Sequence, residues 1–367
     1  MKIKNVVVGA GIAGLTMAEK IANELNEDVL IIEKRDHIGG NVFDSYNSDG
    51  ILIHNYGPHI FHTNNKKVYD YLSSFTDWTD FQHRVLTYID GNLLPMPISV
   101  ETVNQLYHMN LSCSEFKNFI EENRIKIDDI KTSEDVALDK AGLDIYEKFF
   151  KNYTTKQWGV DPSKLDTSVI SRIPFRYNLD TRYFADKYQG MPKNGYHVMC
   201  ANMLKNKKIK ILLNTDYKDV INELEYDNLI YTGPIDYFYN YEFGKLLYRS
   251  VDFKFETIDA ESFQDAPVVN YPNDYDYTRI TEFKKLTGQK HAQTTIMKEF
   301  PCFGDEPYYP YPTKEWRDKF GLYENKMKNE KNVIFIGRLA EYKYYNMDAV
   351  VDRALTLFEQ FKSKNAK

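Results

Sequence analysis

A chain of 367 residues, 43% hydrophobic and 27% charged, reads as an ordinary soluble globular protein of two or three packing units. Its net charge of −6 gives the whole molecule no attraction for nucleic acid or anionic lipid, and no apolar run approaches the roughly 18 residues of a membrane span. Cys113, Cys200 and Cys302 lie far apart, which excludes a disulfide framework and a Cys-based zinc site. No apolar leader precedes the first strand, so a cytoplasmic enzyme is expected. Lys4 to Val8 predicts a buried strand, Gly11 to Asn26 a helix and Val29 to Glu33 a second strand, together a βαβ unit. Helical patterning runs from Ser99 to Glu122. It resumes behind a capping box of Thr132 and Asp135 and continues to about Lys156. Asp161 to Lys164 reads as a loop. Val251 to Thr257 alternates as a strand, and Ser262 to Thr281, broken by Pro and Asn, belongs to a small antiparallel sheet. Val333 to Ile336 is a last buried strand, and Asn346 can cap a helix from Met347 to Lys362.

Gly9, Gly11 and Gly14 follow a strand and open a helix. The first permits the tight turn, the second lets backbone approach a pyrophosphate, and the third lets helix and strand pack closely. The phosphates then sit at the positive end of the helix dipole. Glu33, ending the second strand, can accept from a ribose 2′-OH and would repel a 2′-phosphate. This fingerprint leaves NAD and FAD open. Gly39 and Gly40, followed by Asn41, place a glycine pair where flavoproteins pass the chain close to the ribityl. Gly337 and Arg338 end the last strand before a capped helix, whose N-terminus can face the flavin pyrimidine carbonyl. Both features point to FAD. With both ends of the chain reading as dinucleotide-binding, we expect an α/β fold with a discontinuous Rossmann-like FAD-binding domain (1–65, 193–245 and 328–367). Inserted into it are a helical domain (99–160) and an antiparallel sheet domain that carries substrate (66–98, 161–192 and 246–327).

An acidic protein that binds anions must gather arginines locally, and Arg172, Arg176, Arg249, Arg279 and Arg338 each stand near aromatics. His54, His59 and His62 match no zinc spacing, so no metal is expected; one histidine is set beside the flavin by the Gly57-Pro58 turn. No nucleophile elbow and no Walker loop are present.

Ordered blocks then carry a resemblance over essentially the whole chain: Gly57-Pro58-His59-Ile60-Phe61-His62-Thr63, Tyr153 to Gly159, Arg172-Ile173-Pro174, Met191 to Tyr196, Thr278 to Glu282, Pro307 to Pro310, and Gly337 to Tyr344. The sequence resembles the bacterial UDP-galactopyranose mutases. The resemblance implies interconversion of UDP-galactopyranose and UDP-galactofuranose by covalent catalysis through N5 of reduced FAD, supplying galactofuranose for cell-surface glycans. It implies that Arg172 and Arg279 grip the diphosphate, with Arg172 on a mobile lid of about Leu165 to Phe175. Tyr309 and Tyr344 add hydroxyl contacts. Tyr153, Thr154, Trp158, Tyr183 and Asn270 line the uridine and sugar region. His59, Arg249, Arg338, Asn346 and Met347 lie by the flavin. An NAD(P)H-linked or other reductant and a homodimer are further expectations. Many bacterial members carry Leu-Asp-Met-His after the tyrosine matching Tyr344, whereas this chain has Tyr345-Asn346-Met347-Asp348. The alternatives are a mutase acting on UDP-N-acetylgalactosamine and an amine-oxidase-like flavin oxidoreductase.

Overall fold

The computed structural model describes residues 2–365. The first strand, Lys2–Val8, carries a buried run of branched residues that suits a strand covered on both faces. It lies at the centre of a five-stranded parallel sheet, between Glu225–Tyr231 and Val29–Ile32. Val333–Phe335 and Ile209–Leu212 form the edges. The helix Ile12–Glu24 stops short of the expected Asn26, because Leu25 closes it onto the Ile21 carbonyl and Asn26 turns to φ 54°. Leu15, Ala18 and Ile21 join Val351, Ala354 and Phe358 of the helix Met347–Asn365 in one core.

The expected helical run from Ser99 is two helices. Ser99 and Thr102 box the start of Val100–Tyr107, which ends at His108 in the left-handed conformation. The Asn104 side chain closes the turn by bonding both N–H and C=O of Leu111. Ser112 and Glu115 then cap Cys113–Asn123. Thr132 and Asp135 form the expected box before Ser133–Ala141. Gly142, at φ 81°, breaks the run there, and it continues as a wide π-helical turn at Tyr146–Lys151 and the helix Asn152–Trp158. The expected loop at Asp161 is a short 3-10 turn, Pro162–Lys164, with Asp161 as its cap.

A second sheet has seven strands in the order Tyr309–Pro310, Tyr248–Ile258, Thr294–Cys302, Arg279–Glu282, Val268–Asn270, Val85–Ile89 and Asn92–Met96. It is antiparallel except where Val268–Asn270 runs parallel to Val85–Ile89. Side chains in register across a sheet share a face. One such row reads Phe253, Glu299, Arg279, Asn270, Thr87, Leu94. Helical residues Ile145, Phe149 and Phe150 pack with Val85, Ile89 and Val268 in a second core.

Candidate active site

The glycine turn opens on a cavity of about 680 Å³. Gly9 stands at φ +101° with its N–H on the Ile32 carbonyl, 2.8 Å away. Gly14 does not line the cavity: a Cβ there would sit 2.1 Å from the Gly9 oxygen, so this glycine lets helix and turn touch. The Gly39–Gly40 pair has a demand the sequence did not disclose. Gly39 N–H bonds the Ala10 carbonyl at 2.8 Å, and a Cβ on Gly40 would lie 2.8 Å from the Gly11 Cα. Two glycine segments therefore meet backbone to backbone at the cavity floor. No side chain caps the N-terminus of Ile12–Glu24, and Gly11, Ile12 and Ala13 line the cavity there, leaving helix N–H groups to an anion. Glu33 ends the neighbouring strand, its carboxylate accepting from Ala10 N–H (2.7 Å) and Arg35 N–H (2.9 Å). This cradle fits a diphosphate-linked dinucleotide.

Gly9, Gly11, Glu33, Gly40, Asn41, His59, Arg338, Asn346 and Met347 all line this cavity. Asn346 also accepts the first helical bond, from Val350 N–H. Arg249 stands apart. It is 3% exposed, and its guanidinium is spent on the carbonyls of Gln157 (2.8 Å) and Lys156 (2.9 Å). Asp348 is also turned away, accepting from Thr63 Oγ1 at 2.9 Å.

His59 sits where the cavity meets the long row of the seven-stranded sheet. A Cβ on nearby Gly57 would fall 3.5 Å from Phe253 and 3.9 Å from Glu299, at the row's inner end. The Gly57 carbonyl lies 2.8 Å from His59 Nδ1, which fixes the proton on that nitrogen and leaves Nε2 as an acceptor. Burial, then the cations of Arg338 and Arg279, hold this imidazole down to about 4, against the pull of the Gly57 carbonyl, so it is neutral at pH 7. His54 supports it by accepting the His59 N–H at 3.1 Å. His62 faces elsewhere, stacked on Phe184 and bonded to Asp186.

Beside His59 the cations converge. Arg279 donates to the buried Glu299 at 2.7 Å. Arg338 is fixed by the carbonyls of Tyr308 and Tyr345, and its guanidinium lies 5.1 Å from the Tyr309 ring and 4.9 Å from the Tyr344 ring. Arg172, solvent-exposed, covers Tyr344 at 4.6 Å. Tyr309 and Tyr344 stack on each other. Burial works to raise the Tyr344 phenol, yet Arg172 and Arg338, then Arg279, bring it below its ordinary value. Tyr153 and Tyr183 close the same group, within the fields of Arg172 and Arg279; burial pushes Tyr153 up to about 12. Trp158 meets Tyr309 edge-on, Asn270 lies opposite Arg279, and Thr154 is buried behind Tyr153 in the same helix. The segment before Arg172 is anchored: Asp166 pairs with Arg317, and its N–H bonds the Pro312 carbonyl.

Sequence reasoning missed the cavity's charged rim. Glu306 bridges from the loop after Cys302 to Arg35 and Lys34, and Arg35 also holds Asn41 at 3.0 Å. Lys34 and Arg35, directly after Glu33, carried a signal. Glu306 had none, because only the tertiary fold brings it there.

Two family models match. Residues 7–75 fit an NAD(P)-binding Rossmann-like domain, and residues 148–344 fit the UDP-galactopyranose mutase model. The chain belongs to the UDP-galactopyranose mutase family. It is 37% identical to a probable UDP-galactopyranose mutase of Klebsiella pneumoniae, over 100% of this chain and 97% of that protein. It is 35% identical to a dTDP-fucopyranose mutase of Escherichia coli, over 99% of each. A crystal structure of reduced UDP-galactopyranose mutase shares the fold with a TM-score of 0.79 at 15% identity, covering 100% of this chain and 95% of that one. Family and Rossmann-like domain together imply a flavin cofactor. No helix among the described residues is long and apolar enough to cross a membrane.

Proposed function

We propose that the protein interconverts UDP-galactopyranose and UDP-galactofuranose with FAD bound in the cavity and working in its reduced form. One observation carries this reading: Arg172, Arg279 and Arg338 converge on the stacked Tyr309 and Tyr344, and Arg338 with His59 lines the adjoining dinucleotide cavity. A flavin oxidase that passes electrons onward has no use for a diphosphate clamp beside its flavin. Reduced flavin, when bound, supplies the nucleophile that takes the anomeric carbon from UDP.

The chain's own residues hold and neutralise. Arg172 and Arg279 fork onto the diphosphate and keep the departing UDP at hand for its return. Free of ligand, the arginines draw the Tyr344 phenol toward its anionic form. An incoming diphosphate neutralises them, so the phenol keeps its proton and donates a hydrogen bond to a phosphate oxygen. Neutral His59 adds no charge of its own and offers Nε2 as an acceptor beside the flavin. Tyr153, Thr154, Trp158, Tyr183 and Asn270 carry uridine and sugar. In this reading the product supplies cell-surface glycans, an NAD(P)H-linked or other carrier reduces the flavin, and the enzyme works as a cytoplasmic homodimer.

The test is to incubate flavin-loaded, dithionite-reduced protein with UDP-galactofuranose, its N-acetyl analogue and dTDP-fucofuranose; the Escherichia coli relative makes the last a necessary arm. Chromatography is expected to show pyranose from UDP-galactofuranose, in the reduced state only. No conversion of UDP-galactofuranose by the reduced protein would overturn the proposal, and turnover of one of the other two alone would assign that substrate instead.

A further inference from the structure

A helix leaves its last four carbonyls without intrahelical partners. In Asn152–Trp158, which carries Tyr153, Thr154 and Trp158, every one of them is met. Thr155 C=O accepts from Gly159 N–H at 2.7 Å, the usual left-handed closure. Arg249 Nη2 donates to Lys156 C=O at 2.9 Å and Nε to Gln157 C=O at 2.8 Å. The Tyr311 hydroxyl donates to Trp158 C=O at 3.0 Å. A cation at this end also complements the helix dipole. Gly159 makes the approach possible, since a Cβ there would press on Phe303 at 3.1 Å and on the Arg249 guanidinium carbon at 3.4 Å.

The clamp's other attachments lead to the rest of the site. Arg249 pairs in register with Tyr309, the tyrosine stacked on Tyr344. Phe303 covers the guanidinium at 4.3 Å, and the loop from Phe303 to Glu306 lines the cofactor cavity. Ser250, next to Arg249, donates to the Gly304 carbonyl at 3.1 Å and also holds that of Glu306. One buried guanidinium thus joins the end of the substrate helix, the tyrosine strand and the wall of the cofactor cavity.

We propose that Arg249 is a positioning residue for the nucleotide-sugar rather than a ligand of the flavin. It fixes the axis of Asn152–Trp158, and so the placement of Tyr153 and Trp158 against Tyr309, with Tyr311 as its second fastening. The inference rests on the reading that this helix carries the uridine and sugar. Lysine has a single donor head on a flexible stem and cannot reproduce the two-carbonyl fork, so it restores only part of the function.

The test uses flavin-loaded protein. UDP affinity, flavin content, KM and kcat, and amide hydrogen exchange of residues 152–159 are compared in wild type, Arg249→Met, Arg249→Lys and Tyr311→Phe. Arg249→Met is expected to weaken UDP binding and raise KM about tenfold, with a smaller change in kcat. Exchange in 152–159 should quicken while flavin content and spectrum hold. Arg249→Lys should fall between, and Tyr311→Phe should lose about threefold in UDP affinity. If Arg249→Met does not fold, the other two variants decide. Unchanged UDP affinity and exchange in the variants overturns the inference, as does loss of flavin with UDP affinity retained. Failure of wild type to bind UDP at all would sink the mutase reading instead, and the exchange measurement would still judge the clamp.

Discussion

Arg172 and Arg279, proposed above to hold one diphosphate, stand in different surroundings, and their removal should differ accordingly. Arg172 is exposed and donates to one carbonyl, that of Val169, so Arg172→Ala should weaken UDP binding by about 2 kcal/mol with the melting temperature unchanged. Arg279→Ala leaves the buried Glu299 carboxylate unpaired and should in addition cost about 3–5 kcal/mol of stability. UDP titration and thermal melting of the two variants separate these outcomes; equal melting temperatures would contradict the ion-pair argument. Tyr344 offers a spectroscopic check. Ultraviolet titration should find a phenol ionising below the ordinary tyrosine range, lost in Tyr344→Phe and moved upward by UDP, because the diphosphate takes the arginine charge that favoured the phenolate. At this scale residue type was legible and direction was not. Arg249 stood in the sequence as one more arginine near aromatics, and only the fold shows its guanidinium turned onto helix carbonyls and away from the cavity.

Elements were most legible where local chemistry sets them. Thr132 with Asp135 gives a cap wherever the helix goes, and a Gly9-x-Gly11 turn between strand and helix has few other uses. The split at His108 was harder, since it depends on the Asn104 side chain reaching Leu111. The order of the seven strands rests on long-range pairing that no local pattern encodes. Gly40 is the element-scale test of the cofactor cradle. Its φ of +56° and its closeness to Gly11 leave no room for a side chain, so Gly40→Ala should cost roughly 1–3 kcal/mol and yield protein with little flavin. The absorbance ratio of flavin to protein in the purified variant reads this directly. Full flavin content would show that the two glycine segments can part without harm.

At the scale of the whole molecule, buried imidazoles set the acid limit. His54 and His83 are buried, and burial drives each down to about 3, so both stay neutral in the fold while the unfolded chain protonates them near 6.5. Unfolding therefore takes up protons below about pH 6.5, and stability falls as the pH drops towards 3. With His59, held down to about 4, they should together lower stability by about 6 kcal/mol at pH 5. Melting curves from pH 7 to 5 should show the decline, and His83→Gln should remove about a third of it; an unchanged slope would mean that His83 ionises freely in the fold. The cofactor cavity belongs to this scale too. Its walls include the first glycine turn, the segment from Glu33 to Val42, the loop from Phe303 to Pro307, and Gly337 through Met347 near the far end of the chain. These walls come from segments some three hundred residues apart in the sequence, so the glycine cradle alone does not enclose a ligand. A chain cut before Gly337 should therefore retain little flavin, however complete its first βαβ unit.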